Sequence, residues 1–292
     1  MPSTVEQGFV KFHTWLTPTQ GETDAAKRHR SSIEACLKTN FEITRFFRTG
    51  SFGNGTSIRC YSDVDYFASI PREKLKKDSS VSLRSVKDVL DQRFPGTGVR
   101  VNSPAVHVPF GTDASESTEI VPADYLGETT INRSVYPVYH IPDSEGSWMQ
   151  ASPDAHNTYV AYVNGEKGQK VKPLVRFLKA WKFFQNVPIS SFYLEMRAAQ
   201  YASNESRIEY SLDLKALLRK LYDLDLAALQ DPMGISGYVR PCTTDVKKQD
   251  AFSKLETALG RAEKAVDAEK SGKISDAYSW WDLLFNNQFP AY

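Results

Sequence analysis

Between Val5 and Leu16, apolar residues recur at Val5, Phe9, Phe12 and Leu16, steps of three and four that gather them on one side of a helix. A second helix is expected to open at Thr17-Pro18-Thr19-Gln20. There Thr17 can cap free N–H groups, Pro18 suits the first helical position and Gln20 completes a capping box. Its inward face would carry Ala26, His29, Ile33, Cys36 and Leu37, with Asn40 as its stop. The period then changes. Residues 41–48 read as a strand, Gly50-Ser51-Phe52-Gly53-Asn54-Gly55-Thr56 as a glycine-rich turn, and residues 60–70 as a second strand. Residues 82–94 have helical spacing, with Leu83, Val86, Val89 and Leu90 inward. Residues 99–110 and 118–123 look like strands joined by a polar turn over 111–117, and a further strand is expected over 135–141.

The second half of the chain repeats at three- and four-residue steps over 172–184, 191–201, 212–221 and 250–268. In the last of these Phe252, Leu255, Leu259, Ala262 and Val266 form the stripe, with Lys and Glu opposite. The pattern therefore predicts an α+β protein: a mixed sheet with flanking helices, followed by a helical lobe. Asn, Gly, Gln and Lys accumulate over 154–170, which places the boundary between lobes 1–160 and 161–292.

The length of 292 residues suits two such lobes, and 41% hydrophobic residues suffice for their cores. Charge narrows the partners. With 36 Lys and Arg against 35 Asp and Glu, the chain lacks the cationic excess that displaces counterions from a long nucleic acid. Cys36, Cys60 and Cys242 lie far apart, which fits a reducing cytoplasm rather than a zinc knuckle or a disulfide framework. No segment is apolar enough to span a bilayer, and Met1 leads into polar residues without a signal-peptide pattern. The histidines at 13, 29, 107, 140 and 156 show no metal-ligand spacing, and neither H-E-x-x-H nor G-x-S-x-G occurs.

Chemistry concentrates around Ser62-Asp63-Val64-Asp65. On a strand, residues two apart project together, so Asp63 and Asp65 share a face while Val64 enters the core. Two such carboxylates repel one another unless a cation lies between them, and hard oxygen donors suit Mg²⁺ or Mn²⁺. A solvated D-x-D at a strand end is the plainer reading of these residues alone. Upstream, however, Gly50 permits close backbone approach to an anion, and the Ser51 hydroxyl with nearby N–H groups can hold phosphate oxygens.

The run G-S-F-x-x-G-T-x-I followed by S-D-V-D resembles the polymerase-β-type nucleotidyltransferases. More narrowly, it is similar to the bacterial cyclic-oligonucleotide synthetases of antiphage signalling, relatives of cyclic GMP-AMP synthase and oligoadenylate synthase. Other segments extend the resemblance from about Thr17 to the end. Thr118-Glu119-Ile120-Val121-Pro122-Ala123 lies where the family carries its third catalytic carboxylate. Leu178-Lys179-Ala180-Trp181-Lys182 resembles its triphosphate-contacting helix, and Ser190-Ser191-Phe192-Tyr193-Leu194-Glu195 resembles the next helix start. The tail 280–290 resembles its closing W…F…FP segment.

The resemblance implies two divalent ions, Mg²⁺ or Mn²⁺, held by Asp63, Asp65 and Glu119. It implies phosphate contacts from Gly50, Ser51, Lys179, Lys182 and Ser191, and a base stacked on Phe192. Each of these has a plainer alternative: Lys179 and Lys182 as solvated helix lysines, Ser191 as an N-cap, Phe192 as core. Trp181 reads better as core. Asn164, in the boundary region, could read a base edge or form a turn. Glu119 departs from the family's usual Asp by one methylene, which leaves open a slowed or inactive enzyme.

The expected partners are nucleoside triphosphates, with neither a long nucleic acid template nor a membrane. The chain is expected to act as a monomer, with regulatory accessory proteins allowed. Three readings follow: a cyclic-oligonucleotide synthetase, another transferase of the same superfold such as a linear oligonucleotide synthetase, and a non-catalytic nucleotide-binding module.

Overall fold

Strand β2 (Val64–Ser69) alternates in the way its sequence demands, and the sheet is built around it. Val64, Tyr66 and Ala68 enter a core with Ile33, Leu37, Leu83, Val86, Leu90, Val106 and Ile120, while Phe67 joins Val121, Ala123, Tyr139 and Ile141 in a second cluster. A computed structural model gives these positions and describes residues 3–21, 24, 29–59, 63–112 and 116–292. Among the described residues the main sheet runs β1 (Arg45–Arg48), β2, β5 (Thr118–Ile131), β4 (Ala105–Val108), β3 (Arg100–Asn102). Strand β2 lies parallel to the first half of β5, whose second half pairs with β6 (Ser134–Pro142), which in turn pairs with β7 (Trp148–Ala151). Helices α2 (Arg30–Phe41) and α4 (Ser79–Arg93) supply the helical side of the first core. The short α3 (Gly50–Asn54) joins β1 to the segment before β2, and α5 (Pro153–Glu166) follows β7.

The chain forms two compact units, one comprising Pro18–Thr158 with Met233–Gly237, the other Met1–Thr17, Tyr159–Pro232 and Tyr238–Tyr292. The second unit contains α1 (Val5–Leu16), α6 (Val171–Phe184), α7 (Ser191–Ser203), α8 (Tyr210–Asp223), α9 (Asp245–Lys270) and α10 (Ile274–Leu284), with the small ribbon β8 (Leu229–Gln230) and β9 (Tyr238–Val239). Sequence order assigns α1 to the first lobe. It clusters instead with the helices, because its apolar face is aromatic and finds aromatic partners there. Phe9 meets Phe177 and Trp281 edge-on, each at 5.0 Å between centroids, and Phe12 lies 4.6 Å from Phe285.

Several predicted elements are redrawn. Thr17 closes α1 rather than opening the next helix: its N–H and hydroxyl both donate to the His13 carbonyl, the latter at 2.8 Å. Phe41 ends α2, with Glu42 left-handed at φ 56° as its C-cap, so only Arg45–Arg48 of the predicted first strand is extended. The glycine-rich turn is one helical turn closed by Gly55 at φ 67°. Residues 99–110 form a hairpin turning at Ser103-Pro104, because Pro cannot donate to the ladder and apolar alternation looks the same on either side of it. The polar boundary stretch hides α5, whose Val160 and Val163 supply a buried helical step. The expectations for Ala26, Cys60 and Ser62 fall outside the described residues.

Candidate active site

Asp65 lies inside β2, Asp63 one residue ahead of it. In the parallel register Asp65 stands opposite Glu119 on β5, and Glu119 stands opposite His107 on β4. Residues opposite one another share a face, so the three form a row across three strands. Asp63 reaches the same row: its Oδ1 is 3.7 Å from His107 Nε2. The carboxylate of Asp63 remains 41% exposed, whereas the imidazole is buried.

Gly50 belongs to this group for a steric reason. Its φ is +56°, and a Cβ built there would lie 1.9 Å from Asp65 Oδ2. The Thr49 N–H donates to the Asp65 carbonyl at 2.8 Å, tying the start of α3 to the strand. Ser51 follows in α3 and is half-buried; its carbonyl accepts the Thr56 N–H at 2.8 Å and so closes the turn.

Two neighbours escaped the sequence reading. Asn102, on β3, donates from Nδ2 to Glu119 Oε1 at 2.8 Å. His107 had no recognisable spacing in the sequence, and only the β3–β4 hairpin brings both residues to the carboxylates. Burial lowers the His107 pKa; the Asp63 charge opposes that shift and Arg100 reinforces it. Its Nδ1 is buried and has no hydrogen-bond partner among the described residues.

Among the described residues no three His, Cys, Asp or Glu side chains already converge as the ligands of one ion do. The residues nonetheless fit a hard divalent cation: Asp65 and Glu119 are acidic residues in register on neighbouring strands of one sheet face, and Asp63 lies just ahead of Asp65. For Asp63 to bind the same ion, its carboxylate turns away from His107.

In the helical unit, Lys179 is almost fully buried at 2% exposure, and its Nζ lies 2.6 Å from Glu195 Oε2. It is therefore a paired core lysine, not the solvated helix lysine of the plainer reading. Lys182 is half-buried and donates to Ser191 Oγ at 2.5 Å. The N-cap of α7 is Ser190, whose hydroxyl accepts the Tyr193 N–H at 3.3 Å; Ser191 is the first helical residue and so is not the cap. Phe192 is 38% exposed at that helix start, while Trp181 is core.

Asn164 is buried on α5, and its Oδ1 accepts the N–H groups of Val171 (3.1 Å) and Lys172 (3.0 Å) while its Nδ2 donates to Gln169 Oε1. Its amide caps α6, a structural use of the side chain. Nearby, Arg176 Nη1 donates to His13 Nε2 at 2.6 Å. Burial and then the Arg176 charge push His13 down to about 4.

Residues 3–164 match the Second Messenger Oligonucleotide or Dinucleotide Synthetase domain. The chain belongs to that family. This synthetase is 23% identical to a cyclic AMP-AMP-AMP synthase of Acinetobacter sp., over 98% of this chain and 86% of the relative. Its fold is shared with Escherichia coli MS115-1 CdnC bound to ATP, at a TM-score of 0.74 and 19% identity, covering 98% of this chain and 99% of the other. CdnC in complex with HORMA-deltaN superposes similarly, at a TM-score of 0.72 and 18% identity over 98% of each chain. The architecture is accordingly the polymerase-β-type mixed sheet with a helical unit. The synthetase is a nucleotidyltransferase that condenses nucleoside triphosphates into a second-messenger oligonucleotide or dinucleotide.

Proposed function

We propose that the product is a cyclic di- or trinucleotide and that Asp63, Asp65 and Glu119 are the metal-binding catalytic residues. The observation that carries this reading is the register of Asp65 with Glu119 beside the bare Cα of Gly50. It supports the reading because the Asp65 carboxylate packs directly against the glycine backbone and stands in register with a second acidic residue.

When bound, Mg²⁺ or Mn²⁺ neutralises the polyphosphate and makes the acceptor ribose hydroxyl more acidic. Asp63 and Asp65 would hold two such ions, with Glu119 sharing one. The attacking ribose oxygen forms a bond to the α-phosphorus, the α–β anhydride bond breaks and pyrophosphate leaves. Glu119 is the group suited to take the proton from that hydroxyl. Gly50 and Ser51 would serve phosphates through backbone and hydroxyl donors, and the hydrogen-bonded Lys182 ammonium and Ser191 hydroxyl are donors of the same chemistry. Lys179 contributes through the α6–α7 pair it forms with Glu195. Phe192, partly exposed, offers a ring for base stacking.

The relatives' names support ATP as one substrate and an accessory protein as a partner, and the widely spaced cysteines favour the reducing cytoplasm. The near-neutral charge argues against a long template.

Incubation with four labelled ribonucleoside triphosphates and Mg²⁺ or Mn²⁺, followed by phosphatase, tests the proposal. A phosphatase-resistant product, lost in Asp63→Ala and Asp65→Ala, is expected. A product trimmed by phosphatase would make the enzyme a linear synthetase. Nucleotide binding without product under either metal would leave a binding module.

A further inference from the structure

Glu119 faces His107 across one strand boundary, and Asn102 lies one strand further out on the same face of the sheet. Two interstrand steps of about 4.8 Å separate β3 from β5. Ala105 stands opposite Asn102 on that face, and its methyl group leaves room for a side chain to pass over β4. Glu119 spans the gap and accepts the Asn102 amide at 2.8 Å. A carboxylate shorter by one C–C bond, about 1.5 Å, would fall out of hydrogen-bond reach on the same backbone.

We propose that Asn102 is a positioning residue that acts through Glu119, and that the extra methylene of the glutamate exists in this chain to reach it. The terminal torsion of Glu is broad and only weakly preferred, so an unanchored carboxylate samples many orientations. One hydrogen bond to Oε1 removes that freedom. An amide suits the task because it donates without neutralising the carboxylate, whose full charge stays available to a cation. A lysine or arginine in its place would compete with that cation. This inference rests on the proposed role of Glu119 and assigns the residue that makes a glutamate workable there.

The test compares Asn102→Ala, the near-isosteric Asn102→Asp, Glu119→Asp and the pair Asn102→Ala/Glu119→Asp. Two readouts are taken: steady-state kcat and KM for product formation, and Mn²⁺ affinity measured by electron paramagnetic resonance with a non-hydrolysable ATP analogue. Partners that orient metal ligands typically contribute about 10-fold to 100-fold. Both Asn102 variants should therefore lose about tenfold in kcat and in Mn²⁺ affinity, with KM for the nucleotide and the melting temperature little changed. In the Glu119→Asp background the Asn102→Ala change should add nothing, because the bond is already gone. Full kcat and Mn²⁺ affinity in Asn102→Ala would overturn the inference, and so would an equal loss in both backgrounds. If the wild-type protein formed no product, the proposed function would fall, yet the Mn²⁺ titration would still decide between these outcomes.

Discussion

At the residue scale, each side chain near the carboxylates has a distinct physical task, and substitution separates them. Gly50→Ala introduces a methyl group where Asp65 Oδ2 lies 1.9 Å away, on a backbone at φ +56°. Product formation should drop at least about tenfold, because the strand carboxylate has to move and effects of this size follow from small misplacements. Fixed-time chromatography of the nucleotide product measures it; unchanged turnover would show that Asp65 tolerates displacement. The two lysines of α6 should diverge. Lys179→Met removes the buried cation 2.6 Å from the Glu195 carboxylate and should cost about 3–5 kcal/mol of stability. Lys182→Met should leave denaturant midpoints nearly unchanged while raising KM for the triphosphate, since Lys182 is half-buried and donates to the neutral Ser191 hydroxyl. Equal effects of both changes on stability, with no change in KM, would remove Lys182 from the phosphate site. Sequence resemblance assigns both lysines to the phosphates; burial separates them, and burial is not a property of the local pattern.

At the element scale, helix ends and strand registers account for most of what the sequence left unread. The α6 start relies on Asn164, seven residues before Val171, rather than on a side chain at the cap position itself. Asn164→Ala leaves two backbone donors unsatisfied and should destabilise the protein by about 1–3 kcal/mol in urea. Base selectivity should be unaffected, and a changed nucleotide preference would return Asn164 to the binding site. The contact of α1 with α6 adds a pH dependence. Neutral His13 accepts from Arg176, and its pKa in the folded protein is pushed down to about 4, below the ordinary 6.5. Between those values the unfolded chain binds a proton that the folded chain refuses, so stability falls as pH drops from about 6.5 towards 4. His13→Gln should flatten this slope in thermal melts across that window; an unchanged slope would place the acid sensitivity elsewhere. The α1 and β2 patterns were legible because one face of each is apolar and the period is short. The β3–β4 hairpin was not, because alternation continues through its turn.

At the scale of the whole molecule, 36 basic and 35 acidic residues leave little long-range field to attract a polyanion. Titration with duplex DNA at physiological salt, followed by fluorescence anisotropy, should show no saturable binding, and product formation should not rise when DNA is added. Tight, salt-steep binding would mean that clustered cations outweigh the net balance. The sequence by itself determined the α+β organisation and the stock of reactive groups: Gly50 and Ser51 lie in one glycine-rich turn, Asp63 just ahead of a strand, and Asp65 and Glu119 on strands where a two-residue period sets the face of each side chain. Tertiary structure alone decided their company. Glu119 received Asn102 and His107 from a hairpin, Lys179 was locked to Glu195, and α1 joined helices more than 150 residues away in the chain. Those pairings depend on strand register and on which apolar faces find each other, quantities that emerge only when distant segments compete for the same partners.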